Sequence, residues 1–414
     1  MKSHIFDLSV EQLKEIGKDL QEKIGLGLQK DGEEIACLPT YINPGKDFEG
    51  KVLALDWGGT NFRAAIVEFQ KSKKPVILEN LKKPLSYKEV EGFNQEDLLS
   101  EMATLIVQLK DLNDVKHIGY CFSYPAESTL NGDAILLRWT KEINIPDMLD
   151  KLVGRPLVDY LNAYPGIKTQ FKNIKVVNDT IACLFAGLAQ PGYDTYIGLI
   201  VGTGTNMAAL IHKESIEKLS KDYKGGELIP VNLESGNLKP KHGKDEYLTP
   251  VDKLVDEGSK DRKTQLFEKA MSGGYLGAIF RNTFPTIEIE SKFDGEKLTN
   301  LMNYPAIYKE EYIAAARQIY TRSAELVAAS LAGLVLVLVS YEDKNKYDKS
   351  IQNICLAADG SLFWSDDKNG SDYNELVKKN LDALLESFGL GHIHFHVNKL
   401  DDANLIGSAI AALS

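Results

Sequence analysis

The order of apolar and polar positions at the start of the chain predicts a helix. Apolar residues recur three or four positions apart, at Leu13, Ile16, Leu20 and Ile24, so that they share one helical face. Ser9 is followed three residues later by Gln12, which is the capping-box signal of a helix that begins just after Ser9. We therefore expect an amphipathic helix to open the fold.

Short apolar runs between turn residues predict buried strands. The clearest run covers residues 51–60 and ends in consecutive glycines, and a second run over 62–69 follows at hairpin distance. Three further strands are predicted over 116–122, 175–177 and 196–201, with helical patterns between them. This alternation indicates a mixed α/β architecture.

The most apolar stretch of the chain, residues 326–339, is interrupted by Ser330. It falls short of the roughly 18 consecutive apolar residues that cross a bilayer. We expect a helix buried on all sides within the protein and no membrane span.

Length and composition narrow the class of protein. A chain of 414 residues favours two or three domains over one core, and two lobes fit best. A net charge of -11 spread along the chain argues against a nucleic-acid partner and favours a small polar one. Four widely spaced cysteines without a C-x-x-C pair, and no secretory signal, favour a cytoplasmic protein with reduced thiols.

Two strand-and-glycine units look like one device used twice. The first contains Asp56, Gly58, Gly59, Thr60 and Asn61, and the second contains Gly202, Thr203, Gly204, Thr205 and Asn206. Such glycines let backbone N–H groups approach an anion, and Asp56 can hold magnesium through water. For Gly58-Gly59 alone, a tight β-hairpin turn is an equally good interpretation. Neither unit matches the Walker or the dinucleotide-binding pattern.

Asp179 has two interpretations. It follows an apolar strand and Asn178, and it precedes a helical pattern over 181–189, so it can be a helix N-cap. It can also be a general base, because a carboxylate that accepts the proton of an attacking hydroxyl assists phosphoryl transfer. One residue can do both.

Other polar residues suit a polyhydroxy ligand. Lys141, which follows Trp139 and Thr140, can bind a sugar oxygen or neutralise a moving phosphoryl group. Amides, carboxylates and a hydroxyl that can pair with sugar hydroxyls occur at Ser123, Asn232, Glu234, Gln265 and Glu268. Taken singly, each is more often a surface side chain.

Three histidines alternate near the end of the chain, at His392, His394 and His396. Alternate residues on a strand stand roughly 6.5 Å apart on one face, whereas a metal needs its imidazoles at about 2 Å. We interpret them as an exposed strand face and predict no metal ligands.

Taken in order, these motifs resemble those of the hexokinase family, the eukaryotic-type hexokinases and glucokinases. Residues 53–63 and 202–206 are similar to its two phosphate motifs, and residues 358–362 to its adenosine motif. Its sugar-site motifs are matched, in the family's order, by Ser123-Tyr-Pro125, Trp139-Thr-Lys141, Asn178-Asp-Thr180, Asn232-x-Glu234 and Gln265-x-x-Glu268. The likeness covers nearly the whole chain.

The resemblance implies the two-lobed actin-like ATPase fold, an α/β design related to ribonuclease H, with a cleft between the lobes. It places a small domain at 49–179 plus 401–414 and a large domain at 1–48 plus 180–400. The implied activity is transfer of phosphate from ATP to the 6-hydroxyl of a hexose, glucose first, with magnesium bound mainly through the ATP phosphates.

The resemblance also implies roles for single residues. Asp179 would take the proton, and Lys141 and Thr140 would contact the sugar or the moving phosphoryl group. The hexose would be held by Ser123, Asn178, Asn206, Asn232, Glu234 and Glu268. ATP and its magnesium would be held by Asp56, Gly58, Gly59, Thr60, Asn61, Arg63, Gly202, Thr203, Gly204, Gly360 and Ser361.

The chain departs from the family pattern at several positions. Trp57 replaces a leucine, which should change the packing beneath the first phosphate turn, and Glu142-Ile143 replaces Gly-Phe. Ser235 replaces a tryptophan, and Asp261-Arg-Lys263 replaces Asn-Pro-Gly, two changes that can loosen the sugar site. A carboxylate at Glu142 can weaken Lys141. These changes leave open a second hypothesis, a sugar-binding regulator with little turnover. A third hypothesis, a filament-forming relative of actin, is remote because it gives the predicted sugar-binding residues no role.

Overall fold

A computed structural model describes residues 5–45, 48–59, 61–71, 73–140, 143–241, 246–287, 293–342 and 351–414, apart from the side chains of 341 and 342. The predicted mixed α/β architecture is confirmed. The strands in these residues are β1 (Leu38–Pro39), β2 (Gly50–Trp57), β3 (Asn61–Phe69), β4 (Val76–Pro84), β5 (His117–Phe122), β6 (Ala126–Ser128), β7 (Ala134–Leu136), β8 (Asn173–Val177), β9 (Thr195–Val201), β10 (Thr205–His212), β11 (Leu228–Asn232), β12 (Asn353–Asp359) and β13 (His394–Lys399). The α-helices are α1 (Val10–Gln29), α2 (Gln95–Ile106), α3 (Gly154–Ala163), α4 (Asp179–Leu188), α5 (Pro250–Glu257), α6 (Leu266–Met271), α7 (Gly273–Thr283), α8 (Gly295–Asn303), α9 (Glu310–Glu342), α10 (Tyr373–Ser387) and α11 (Ala403–Ala412).

The opening helix is confirmed as α1. The Gln12 N–H donates to the Ser9 hydroxyl at 3.2 Å, and the Ser9 N–H donates to the Gln12 side chain at 3.0 Å, so the predicted capping box is formed. The apolar positions of the helix are buried and pack against α9.

The first sheet has the strand order β4-β3-β2-β5-β8. Its strands β2, β3 and β4 form antiparallel pairs, whereas β5 pairs with β2 and β8 pairs with β5 in parallel. The predicted strands over 51–60, 62–69, 116–122 and 175–177 all lie here, with bounds that differ by a few residues.

The second sheet repeats the plan of the first. Its order is β1-β11-β10-β9-β12-β13, with antiparallel pairs from β9 through β11 and parallel additions of β12 and β13. The two glycine turns therefore occupy equivalent places, one between β2 and β3 and the other between β9 and β10. Strands β6 and β7 form a separate, two-stranded antiparallel sheet.

Two helices join the large sheets. Helix α4 follows β8 of the first sheet but packs on β9 of the second, while α11 follows β13 of the second sheet and packs on β5 and β2 of the first. Gly198 makes this approach possible, because a Cβ there would lie 2.4 Å from the Thr180 carbonyl oxygen. Asp179, the first residue of α4, consequently lies where the two sheets meet. The predicted boundaries of the two domains stay a prediction.

The apolar stretch 326–339 lies within α9 and is mostly buried, whereas Leu336, Val337 and Val339 are only partly buried. Within the described residues, Glu310–Ser340 is long and apolar enough to cross a membrane by length and composition, and 72% of its most apolar window is buried inside the structure. A core helix meets the same criterion.

Candidate active site

A cavity of about 350 Å³ gathers residues from both ends of the chain. Its lining consists of Asp56, Gly58, Gly59, Asn61, Arg63, Lys82, Ser123, Asp179 and Asn404. Seven of these are predicted site residues, so the structure brings the first phosphate turn, a sugar-site serine and the candidate base together. Thr60, also predicted here, lies outside the described residues.

The first glycine turn is both a hairpin turn and part of this cavity. It joins the antiparallel strands β2 and β3, as the simpler interpretation holds. A Cβ placed on Gly59 would meet no atom within 4 Å, so the turn also leaves room for a ligand against its backbone.

Arg63 is held by two carboxylates. Its guanidinium lies 2.7 Å from Asp56 in the neighbouring strand and 2.6 Å from Asp402, just before α11. Burial acts to lower the pKa of Arg63, but the charges and hydrogen bonds of Asp56 and Asp402 outweigh it, and the pKa is raised. Asn404 adds a hydrogen bond to the other oxygen of Asp56 at 3.3 Å. Arg63 and Asn404 thus hold the Asp56 carboxylate beside the first glycine turn.

Asn178, and not Asp179, caps helix α4. The side-chain oxygen of Asn178 accepts the Thr180 N–H at 2.7 Å, and the extended backbone of Asn178 ends the strand segment. The N-cap interpretation of Asp179 is therefore wrong, because Asp179 already has helical geometry. Its carboxylate lies in the first turn of the helix.

Three residues predicted to bind the sugar, Asn206, Asn232 and Glu234, form one hydrogen-bonded cluster, which we call the sugar cluster. The Asn206 amide donates to Asn232 at 2.7 Å and to Glu234 at 3.3 Å, and the Asn232 amide donates to Glu234 at 2.8 Å. Thr180 donates to Asn232 at 3.3 Å and so links the cluster to α4. Strands β10 and β11 pair side by side, and this pairing unites residues that are far apart in sequence.

Burial raises the pKa of the Glu234 carboxyl, and the negative charge of Asp179 raises it further against the hydrogen bonds from Asn232 and Asn206. The effect of Asp179 means that the candidate base and the sugar cluster lie within electrostatic reach of each other.

The second glycine turn is held by the Glu268 carboxylate. The Thr205 N–H donates to the Glu268 carboxylate at 2.8 Å, and a Cβ on Gly204 would lie 2.7 Å from the same carboxylate. The Ser235 N–H donates to Asn206 at 3.2 Å. Ser235, the replacement for the family's tryptophan, is buried.

Gly360 packs against the backbone at the start of the second glycine turn. It has a φ of 111°, and a Cβ on it would lie 2.3 Å from the Val201 carbonyl oxygen, so glycine is required. Gly202 packs directly against it. The predicted nucleotide residues lie in the turns that follow strands β9 and β12 of the second sheet and do not line the cavity described above: Gly202, Thr203, Gly204, Gly360 and Ser361.

The predicted Trp139-Thr140-Lys141 motif is only partly described. Thr140 is partly buried and its carbonyl accepts the Ile143 N–H at 3.2 Å, whereas Lys141 and Glu142 lie outside the described residues. Trp57 packs beneath the first turn, as expected, and its indole also donates to the Gly59 carbonyl at 3.1 Å.

The remaining predictions concern histidines and cysteines. His394 and His396 are exposed on β13, and the described residues contain no group of three metal-ligating side chains. The four cysteines are buried and free.

Three residues at the cavity were not predicted. Lys82 lines it from β4, and Asn404 and Asp402 reach Asp56 and Arg63 from the start of α11. The family likeness at the end of the chain was the available signal for the last two. Nothing in the sequence distinguishes Lys82 from any other lysine on a strand.

Comparisons with known proteins identify the family of this chain. Family models described as Hexokinase match residues 3–188 and, for a second model, 196–318 and 295–414. Hexokinase-9 of Oryza sativa subsp. japonica is 25% identical over 98% of this chain and 87% of its own length. Hexokinase-2 of Schizosaccharomyces pombe is 30% identical over 67% of this chain and 62% of its own length.

Solved structures show the same fold. The hexokinase from Schistosoma mansoni complexed with glucose has a TM-score of 0.78 at 24% identity, covering 99% of this chain and 97% of that one. A ROK family glucokinase from Streptomyces griseus in complex with glucose and AMPPNP has a TM-score of 0.50 at 19% identity, covering 88% and 99%. The chain belongs to the hexokinase family and has the actin-like ATPase-type fold of these sugar kinases.

Proposed function

We propose that this protein transfers the terminal phosphate of ATP to the 6-hydroxyl of a hexose, glucose first, with Asp179 as the general base. The observation that carries the proposal is the position of Asp179, which shares one cavity with Asp56 and the first glycine turn. The sugar cluster around Glu234 lies within its electrostatic reach. A base belongs between a phosphate donor and a hydroxyl acceptor.

Different residues have different roles in the proposed reaction. Glu234, Asn206 and Asn232 accept and donate hydrogen bonds to sugar hydroxyls, while Glu268 fixes the backbone of the second turn through the Thr205 N–H. Asp179 receives the proton of the attacking hydroxyl and aligns that hydroxyl. Closure of the two lobes keeps water from competing as acceptor.

The residues around Asp56 fit a magnesium–nucleotide complex. Asp56 supplies a carboxylate beside an open glycine turn, and magnesium favours one or two carboxylates together with phosphate oxygens. Bound magnesium would neutralise phosphate charge. Arg63 and Asn404 hold the Asp56 carboxylate in place. The glucokinase solved with glucose and AMPPNP supports ATP and glucose as the substrates.

A coupled assay with glucose, mannose and fructose tests the proposal, with ATP and magnesium as donor. We expect turnover with at least one hexose, and product carrying phosphate on its 6-hydroxyl. Calorimetric binding of glucose without turnover, with ATP and with every other nucleotide tried, would contradict the proposal and would indicate a sugar-binding regulator.

A further inference from the structure

Lys269 directly follows Glu268 on helix α6, and its side chain is buried, with 3% exposed. A lysine is seldom buried to this extent unless it is paired. The ammonium has three hydrogen-bond donors. Each of them has an acceptor: the Asp256 carboxylate at 2.7 Å, the Ser259 hydroxyl at 2.9 Å and the Asp261 carbonyl. The positive charge is therefore compensated entirely by the end of α5 and the residues that follow it.

The segment between α5 and α6, residues 258–265, contains two non-glycine residues with a left-handed backbone; we call it the α5–α6 loop. Lys263 has a φ of 63°, and Gln265, which belongs to a predicted sugar-site motif, has a φ of 50°. This conformation is unfavourable for residues that carry a side chain, and it persists only where surrounding contacts hold it. The shape of the loop therefore depends on its contacts.

Asp256 and Lys269 supply these contacts. The Lys263 N–H donates to both carboxylate oxygens of Asp256 at 3.0 Å, and the same carboxylate is ion-paired with Lys269. The Gln265 carbonyl accepts the Lys269 N–H at 2.9 Å and closes the first turn of α6. Lys269 thus ties the α5–α6 loop to α6 through its side chain and through its backbone.

Glu268 depends on the position of the same helix. Its carboxylate accepts the Thr205 N–H at 2.8 Å, and a Cβ on Gly236 would lie 3.0 Å from the Glu268 Cβ. Glu268 is therefore closely packed between the second glycine turn and the segment that follows the sugar cluster. A helix of six residues has little stability of its own, so the contacts that anchor α6 decide where Glu268 lies.

Helix α6 is anchored at both ends. Arg322 and Ser323 of α9 donate to the carbonyls of Ala270 and Met271, the last two residues of α6. At the start of the helix the contacts come from Lys269. Loss of the Lys269 ammonium would therefore release the end of α6 next to the α5–α6 loop and leave the other end in place.

We propose that Lys269 is a positioning residue for the sugar site. Its ammonium holds the α5–α6 loop in its strained shape, the loop fixes the start of α6, and α6 presents Glu268 to the bound sugar. The second glycine turn has a bond of its own to α7, from the Gly273 N–H to the Gly202 carbonyl at 2.7 Å. Sugar binding should therefore depend on Lys269 more strongly than nucleotide binding does. The inference rests on the proposed function, because it takes Glu268 to bind a hexose.

Calorimetry of glucose binding to the full chain tests the inference. Lys269→Met keeps an unbranched side chain of similar size but removes the charge and its donors. We expect its dissociation constant for glucose to rise about tenfold or more, the size of one hydrogen bond to a charged group, and its KM for ATP to change by less than about twofold. Ser259→Ala removes one of the three acceptors and should raise the dissociation constant for glucose about threefold.

A double variant separates positioning from stability. Lys269→Met alone leaves the Asp256 carboxylate without its partner, which should lower the melting temperature. Addition of Asp256→Asn removes the unpaired charge, so the melting temperature should recover in part, while the dissociation constant for glucose stays about tenfold above that of the wild type. Recovery of wild-type glucose affinity together with stability would overturn the inference. The double variant and Ser259→Ala supply the result if Lys269→Met alone does not fold.

Lys241 provides the matched control. Its ammonium pairs with the buried carboxylate of Asp19 and, at 2.8 Å, with Glu22, and both partners lie on α1 instead of the α5–α6 loop. Lys241→Met also leaves a buried carboxylate without its ion pair, so it should lower the melting temperature yet keep wild-type glucose affinity. An equal loss of glucose affinity in the two lysine variants would refute the role of Lys269.

Failure of this inference is distinguishable from failure of the proposed function. Absence of hexose phosphorylation by the wild type would contradict the proposed function. A wild type that phosphorylates glucose, together with Lys269→Met and Ser259→Ala variants that bind glucose as tightly as the wild type, would leave the proposed function intact and overturn the role given to Lys269.

Discussion

Arg63 and Asp402 form an ion pair of 2.6 Å across 339 residues of sequence. Arg63 lies on β3, and Asp402 stands just before α11 with a left-handed backbone, φ 54°. Because Arg63 also binds Asp56 at 2.7 Å, the last helix of the chain helps to fix the carboxylate beside the first phosphate turn.

Asp402→Asn should therefore weaken nucleotide binding. Loss of the charge leaves Arg63 with one ionised partner, and the Asp56 carboxylate becomes less well fixed. We expect the KM for ATP to rise about threefold to tenfold, the size expected when one positioning hydrogen bond is lost, with little change in the KM for glucose. Steady-state kinetics with each substrate varied measures both.

The exposed pair Lys378–Asp382, at 2.7 Å on α10, provides the matched control. Asp382→Asn removes a surface ion pair of small energetic value and should leave both KM values unchanged. Equal effects of the two substitutions would refute the role given to Asp402.

Lys263→Gly should stabilise the loop before the Glu268 helix. Lys263 has a φ of 63° and its N–H donates to Asp256 at 3.0 Å, at a position where the family pattern has glycine. A left-handed conformation destabilises a non-glycine residue by about 1–2 kcal/mol. Glycine avoids this strain but loses more conformational entropy on folding, which costs about 0.5–1 kcal/mol. We expect the free energy of unfolding to rise by about 0.5–1 kcal/mol in urea denaturation.

The neighbouring Arg262 does not have a positive φ and is also exposed. Arg262→Gly should gain nothing and lose stability through the unfolded chain. A loss of stability in Lys263→Gly as large as in Arg262→Gly would contradict the strain at Lys263.

Glu325 should make stability depend on pH. Burial, and to a smaller extent the charge of Asp7, raises the pKa of the Glu325 carboxyl to about 7, against the opposing charge of Arg322. The folded state then binds the proton more tightly than the unfolded state, so stability from this group is full below about pH 4.5 and is lost as pH rises through about 7. Glu325→Gln should raise the melting temperature at pH 8 and leave it nearly unchanged at pH 4.

Thermal unfolding across this pH range measures the effect. Glu311, exposed in the first turn of the same helix, supplies the control. Glu311→Gln should show no such dependence on pH. A constant difference between Glu325→Gln and the wild type from pH 4 to pH 8 would contradict the assignment.

The sequence alone predicted the elements that depend on local signals. The capping box at Ser9, the strands with their apolar runs and the buried stretch within α9 all follow from periodicity and turn residues. Sheet order did not follow from these signals, since it depends on pairing between distant segments. The repeated plan of the two sheets was foreshadowed only by the two similar glycine turns.

The site was predictable as a set of residue types but not as a set of contacts. The two carboxylate partners of Arg63, Asp56 and Asp402, did not follow from the motif around it. Asn178 caps α4 because the helix begins at Asp179, one residue earlier than a cap at Asp179 would require. Both outcomes depend on three-dimensional placement that one sequence motif does not contain.

The turnover number of Asp179→Asn tests the central claim most directly. The amide preserves the size of the side chain but cannot accept the proton of the sugar hydroxyl. With ATP and glucose we expect kcat to fall by about 10²–10⁴-fold, the usual contribution of a general base, while calorimetry still detects glucose binding. A variant that binds glucose and turns over at the wild-type rate would contradict Asp179 as the base and, with it, this account of the reaction.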